Sequence, residues 1–355
     1  MPISRTSGVD RRLFLTSILG AAAGVAGLSG CAGGSAAADT KGVSSAPLAD
    51  KVPAGTSLKI ASYLGTQQLQ FKLARLGDPP FKVSSWVNIG AGPDVINAFR
   101  AKSLDLANNA GIPPIQAHYQ GFAAKIVAIG ITRKPNYLFA TKPGSDIRSV
   151  ADFKGKKLAF SQGQAQGVVL LRALKRAGLK YDDVKLVPLT SNQFLTALQS
   201  GQVDIAPLAN SQAPAYLQQY SSKGAHAITT DVVDLLNLLW APVPVLNDPA
   251  KAAAVAAYIP YWAKGQVWQY ENPAIWNEEF YVKTQNLTPA QAKSISDLAN
   301  KPLFPLSWAE AIKWEQETAD LLAEGGFVKK FDVSSLFDHR FESLAAKAVP
   351  AEYRR

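Results

Sequence analysis

"SDIRSVADFKGKKLAFSQGQAQGVVLLRALKRAGLKYDDVKLVPL", residues 145–189, carries a complete strand–helix–strand unit. "KKLAFS" (156–161) reads as a strand and "QGQAQ" (162–166) as a loop. "GVVLLRALKRAG" (167–178) places Val169, Leu170, Ala173, Leu174 and Ala177 on one face, the spacing of an amphipathic helix. Gly178 stands where a helix terminator belongs. "VKLVPL" is the next strand, "SNQFLTALQSG" a short helix closed by Gly201, and "VDIAPL" a third strand. A βαβαβ succession of this kind argues for a parallel sheet with helices on both faces.

The same rhythm runs upstream. "LKIASYL" is a strand, and "TQQLQFKLARLG" a helix with apolar Leu69, Leu73 and Leu76. "FKVSSWVNIG" alternates as a strand does. In "GPDVINAFRAKSLDLANNAG", Gly92 can cap and Pro93 suits a first helical position, with Val95, Ala98 and Phe99 on one face. "LDLANNA" is a strand, and "IPPIQAHYQ" opens a helix, because proline is tolerated in a first turn. The expectation is two α/β units of similar plan, 57–130 and 131–234. Residues 235–345 follow as a mainly helical return, and 346–355 as a tail. Within the return, "PAKAAAVAAYIPYWAKGQVWQY" is a helix expected to bend at Pro260, and Thr288 caps a helix starting at Pro289. Trp262, Trp268, Trp276, Trp308 and Trp314 read as packing residues.

Cys31 is the one cysteine among 355 residues. Ahead of it, "ILGAAAGVAGLSG" is an apolar run too short to span a bilayer, but of the length of a signal-peptide core. "LSGC" resembles a lipobox, with Cys31 as the lipidated residue. "DRRLFL" resembles a twin-arginine export signal with Asp10 in an unusual place, so the export route stays open. Residues 1–30 are thus expected to be a signal peptide. Small, polar residues 31–56 are expected to be a flexible tether, reaching about 25–30 Å. A lone cysteine excludes intrachain disulfides and cysteine-based catalysis or metal binding in the body of the protein. The formal charge is +10, and without residues 1–30, which hold three arginines and one aspartate, it is about +8. A basic balance suits anionic partners, but no nucleic-acid motif is present.

In open α/β sheets, ligands sit beyond the carboxyl ends of strands, at helix N-termini. Three loops fit: Gly65, Thr66 and Gln67; Asn109, Ala110, Gly111 and Ile112; and Gln164, Ala165, Gln166 and Gly167. The third joins a strand to a helix N-terminus, which favours a sulfonate, phosphate, nitrate or carboxylate. His118, His226 and His339 lack metal-ligand spacing, and no GxSxG elbow occurs. No cofactor and no metal are expected.

From about residue 57 to 343 the chain resembles the periplasmic substrate-binding proteins of ABC importers, in the family serving aliphatic sulfonates, taurine and nitrate. The resemblance rests on residues 92–115, 145–189 and "ALQSGQVDIAPL", and "VKKFDVSSLFDHRF" looks like the family's last segment. It implies an α/β, two-lobed periplasmic-binding-protein type II fold with mainly parallel sheets. The chain would cross a hinge near 130–140 and return near 232–240. One small ligand would be held by closure, through loops mapping onto "LGTQQ", "NNAGIPP" and "QGQAQG". Where many members carry a Trp-Asp-Pro-type stretch, this chain has Asn210, Ser211 and Gln212. Loss of a carboxylate there weakens the case for an amine-bearing ligand. The implied role is an exported, lipid-anchored receptor, periplasmic or on the outer face of the cytoplasmic membrane, working as a monomer with an ABC permease. Its expected ligand is a small organosulfur anion such as an alkanesulfonate. The alternatives are nitrate, taurine or a pyrimidine or thiamine precursor, and, in another class, an enzyme on the same fold.

Overall fold

The computed structural model describes residues 42–355. The signal peptide, the lipobox and Cys31 lie outside the described residues.

Among the described residues, ten strands form two mixed sheets. In the first lobe, β1 (Ser57–Ala61) pairs in parallel with β2 (Lys82–Val87). A parallel bridge from Ile60 to Leu106 joins β1 to the start of β3 (Ala107–Ala110). β10 (Leu236–Pro242) then runs antiparallel between β3 and β4 (Ala124–Ile131). The resulting order is β2-β1-β3-β10-β4. β4 is buried at seven of its eight positions, as expected of a strand covered on both faces.

The second lobe holds β5 (Tyr137–Thr141), β6 (Lys157–Phe160), β7 (Lys185–Pro188), β8 (Ile205–Ala209) and β9 (Ala227–Ile228), in the order β7-β6-β8-β5-β9. β6 is parallel to β7 and β8, whereas β5 is antiparallel to β8 and β9. Each sheet therefore has the parallel heart that the βαβ rhythm predicts, plus antiparallel strands contributed where the chain changes lobes.

Five helices fall where the apolar spacing puts them: α1 (Thr66–Leu73), α2 (Gly92–Arg100), α3 (Ile112–Tyr119), α4 (Ala165–Arg176) and α5 (Phe194–Gln199); α6 (Ala213–Tyr220), after β8, is one the spacing did not single out. Gly178 and Gly201 follow α4 and α5 at φ of 71°, the left-handed conformation that ends a helix and that glycine adopts without a Cβ penalty. After the short α7 (Val243–Asn247), the long α8 (Pro249–Glu271) starts at an Asp248 cap and runs through Pro260. α9 (Pro273–Trp276) leads into a π-helical turn, Asn277–Val282. α10 (Pro289–Asp297) carries the Thr288–Gln291 capping box, and α11 (Ala309–Glu324) follows. Trp262, Trp276 and Trp308 are buried, as packing residues should be.

The lobes are linked by residues 132–136 and 229–235. These two segments are tied to each other, since Thr132 N donates to Leu235 O at 2.8 Å and its Oγ1 to Asp234 O at 2.9 Å. α11 braces the link. It packs on α3 of the first lobe, and Arg172 of α4 reaches across to Thr318 Oγ1 at 2.6 Å.

The expected tether needs a correction over its described part. Val43, Leu48 and Val52 pack against the core, Ser44 N donates to Asn247 Oδ1, and Arg340 Nη1 to Ala46 O. Small, polar composition suggested free chain, yet three aliphatics spaced along it are enough to seat residues 43–52 on the body.

Candidate functional site

A cleft of about 750 Å³ lies between the lobes. One wall comes from the first lobe, with Tyr63, Asn88–Asp94, Asn108–Ala110 and Asn237; the other comes from Tyr137, Gly163–Gln166, Thr190–Asn192, Ser211 and Gln212. The lobes meet at its edge through glycine. An added Cβ on Gly92 would lie 2.8 Å from Gly163 O, and one on Gly163 would meet Pro93 at 3.2 Å. Gln116 Nε2 donates to Gln162 O nearby, at 3.2 Å.

The first two residues of α2 and of α4 form part of this lining, so two helix N-termini, one per lobe, face the cleft. Their dipoles favour negative charge. Among the residues lining it, Asp94 alone is charged, and the rest offer amides, hydroxyls and backbone. Burial and the neighbouring Asp234 push the Tyr137 phenol well above its usual range, so it stays a neutral hydroxyl at the hinge.

The structure sorts the expected site residues. Asn109, Ala110, Gln164, Ala165, Gln166, Ser211 and Gln212 line the cleft. Asn210 lines an adjoining pocket with Ser211, and its Nδ2 donates to Pro135 O. Thr66 and Gln67 line a side chamber, while Gly65 is the left-handed N-cap of α1 and lines neither space. Gly111, Ile112 and Gly167 are buried and do not reach the cleft. Ile112 is core. Gly111 and Gly167 are glycines for packing: a Cβ on Gly111 would sit 2.2 Å from Glu315 Oε2, and one on Gly167 would sit 1.9 Å from Ser161 O.

Two expected ligand amides are already occupied. Gln164 Oε1 accepts from Ser161 Oγ and Ser191 N, and its Nε2 donates to Ser191 Oγ. Asn109 Nδ2 donates to Gly90 O, and its Oδ1 accepts from Trp240 Nε1. Both brace the walls. The Gly167 N–H is likewise spent, on Gln164 O. The sequence reading missed Asn88, Ser191, Asn192 and Asn237. Asn88 follows β2 and Ser191 follows β7, so the strand-end rule pointed to them, but their segments lacked a glycine loop to draw notice.

The side chamber, about 250 Å³, shares Asn108 and Asn237 with the cleft. Trp262, Gln266, Trp276 and the π-helical Phe280 and Tyr281 wall it.

The NMT1/THI5-like family profile matches residues 87–235. A protein of Escherichia coli (strain K12) named for binding aliphatic sulfonates is 31% identical over 264 residues, covering 72% of this chain and 79% of its own. The chain belongs to the NMT1/THI5-like family of ABC-importer substrate-binding proteins. The crystal structure of the periplasmic aliphatic sulphonate binding protein SsuA from Escherichia coli superposes with a TM-score of 0.67 at 27% identity, over 79% of this chain and 92% of that one. The alkanesulfonate-binding SsuA from Xanthomonas axonopodis pv. citri, bound to MOPS, shares the fold at a TM-score of 0.69 and 24% identity, over 85% and 100% of the two chains. This substrate-binding protein therefore has the two-lobed periplasmic-binding-protein fold, built on the βαβ rhythm of residues 57–234.

Proposed function

We propose that the protein binds a small alkanesulfonate between its two lobes and presents it to an ABC permease. The observation that carries this reading is a cleft whose lining holds a single charged residue, Asp94, and which helix N-termini from both lobes face. A sulfonate keeps its charge at every physiological pH and only accepts hydrogen bonds. Amide and hydroxyl donors with helix dipoles suit such a group without a counter-ion. Contact with both lobes would make the ligand favour closure, which is how a receptor signals that it is loaded. The named relatives support the same ligand class.

Taurine is the second reading, and Asp94 favours it, because that carboxylate could hold an ammonium. Asp94→Asn separates the two: it should spare ethanesulfonate binding and weaken taurine binding. We read the protein as a receptor, not an enzyme, located in the periplasm or on the outer face of the cytoplasmic membrane. Lipid on Cys31 would keep it there as a monomer.

The direct test is thermal unfolding of residues 32–355 with sulfonates, taurine, sulfate, nitrate and pyrimidine compounds. A ligand at 100 times its Kd adds about 2.7 kcal/mol, which is about 5–10 °C for a chain of this size. A rise with nitrate or pyrimidines and none with sulfonates overturns the ligand class.

Lobe 2 can be tested on its own. The N–H of Gln166, second residue of α4, makes no hydrogen bond among the described residues, and Gln166 lies at the cleft. Proline is tolerated there, since α2, α3 and α6 each carry proline at the second position. Gln166→Pro should weaken sulfonate binding about ten-fold with little change in Tm. Unchanged affinity by calorimetry would remove this N–H from the site.

A further inference from the structure

The side chamber contains an unusual set of unpaired groups. Trp262 Nε1, Gln266 Nε2 and Trp276 Nε1 are buried and have no hydrogen-bond partner among the described residues. The two indoles belong to side chains only 1% and 3% exposed. Native proteins seldom leave such groups unmatched, because each costs about 1–3 kcal/mol.

All three unpaired atoms on this wall are N–H donors. At Gln266 the free group is fixed by what stands behind it. Asn108 Nδ2 donates to Asn237 Oδ1 at 2.7 Å, and Asn237 Nδ2 donates to Gln266 Oε1 at 2.8 Å. This amide relay uses up the Gln266 oxygen and leaves its NH2 as the free end. Trp276 Nε1 lies beside the Tyr281 hydroxyl without meeting hydrogen-bond geometry, and its nearness offsets part of the rise that burial gives that phenol. Thr66 and Gln67, the first residues of α1, add the positive end of a helix dipole at the same wall. No residue lining the chamber carries a charge.

Three unpaired donors on residues lining one chamber, with a helix N-terminus beside them, define a place for an oxyanion. The chamber opens beside the cleft, across Asn108 and Asn237, so one ligand can occupy both.

We propose that the chamber is a subsite for a second oxyanion, and that the cognate ligand is a dianion: an alkanesulfonate ending in a carboxylate or a second sulfonate. The inference rests on the sulfonate reading of the cleft. One sulfonate lies between the lobes, and the other acidic end enters the chamber and takes the N–H groups of Trp262, Gln266 and Trp276. The aromatic walls enclose the carbon chain between them.

The test is titration calorimetry of the full chain with propane-1-sulfonate, 3-sulfopropanoate and propane-1,3-disulfonate. The dianions should bind about ten- to a hundred-fold more tightly than the monosulfonate. Trp262→Phe and Gln266→Met should erase that difference and leave propane-1-sulfonate affinity as it was. Because Trp262 is core, a second measurement uses the unaltered protein: the indole N–H resonance of Trp262 should move on adding 3-sulfopropanoate, and stay in place with propane-1-sulfonate. Equal affinity for all three compounds, or a Trp262 signal that ignores the dianion, overturns the chamber and leaves the receptor standing. No binding of any sulfonate overturns both.

Discussion

Gly167→Ala should destabilise the protein by about 3 kcal/mol or more and lower its Tm by roughly 6–12 °C. Propensity alone gives the opposite sign, because alanine is favoured over glycine in a helix by about 1 kcal/mol. The clash outweighs it. A Cβ at 167 would stand 1.9 Å from the carbonyl oxygen of Ser161 and 3.3 Å from the Phe160 ring. The nearest obstacle is backbone at the end of a buried strand, so no rotamer change relieves it. α4 would have to lift off β6, taking Gln164–Gln166 away from the cleft edge. Loss of sulfonate binding should therefore accompany the loss of stability. An unchanged Tm would mean that the strand and helix can part freely, and would remove the packing explanation for this glycine.

Wild-type stability should fall as pH rises from about 4.5 to about 8, and Glu315→Gln should flatten that fall. Glu315 is fully buried on α11, and neither carboxylate oxygen has a hydrogen-bond partner among the described residues. Burial, with Asp234 adding its negative charge, pushes its pKa up to about 8, while Arg172 pulls the other way. The folded state thus holds a proton that the unfolded chain releases near its ordinary 4.5. The associated stability is fully present below pH 4.5 and lost as pH climbs through 8. Its size is roughly 2–5 kcal/mol, or about 5–10 °C in Tm between pH 5 and 9. Asp234, raised to about 7 by burial, contributes in the same direction. Parallel pH curves for the wild type and Glu315→Gln would refute the assignment. Because the Glu315 carboxyl lies against Gly111, its ionisation also places charge directly under the loop that carries Asn109 and Ala110 to the cleft.

Gly167, and Gly111 against the Glu315 carboxyl, are both glycines that the sequence marked for ligand contact. Glycine at a strand–helix junction serves two purposes, close approach of a ligand or close approach of the protein's own backbone, and the residue letter is the same for both. The contact partner decides. For Gly167 it is Ser161 O, and for Gly111 it is Glu315, which lies 204 positions away.

The alternation of apolar runs with helical spacing, read locally, determined the two α/β units, the ends of α4 and α5 at Gly178 and Gly201, and the cap at Thr288. It also placed the candidate ligand loops at strand ends. These features depend on neighbours within a few residues. Tertiary structure alone decided which strand ends face one another. β10, some 130 positions after β3, pairs with it and brings Asn237 to Asn108. α8 then sets Gln266 behind Asn237 and Trp262 beside it, and no spacing rule links residues 66, 108, 237 and 266. Which donors were spent within the protein, as at Gln164 and Asn109, and which were left unpaired, as at Trp262, also followed from packing, because a hydrogen bond depends on where its partner lies in space and not on its place in the chain.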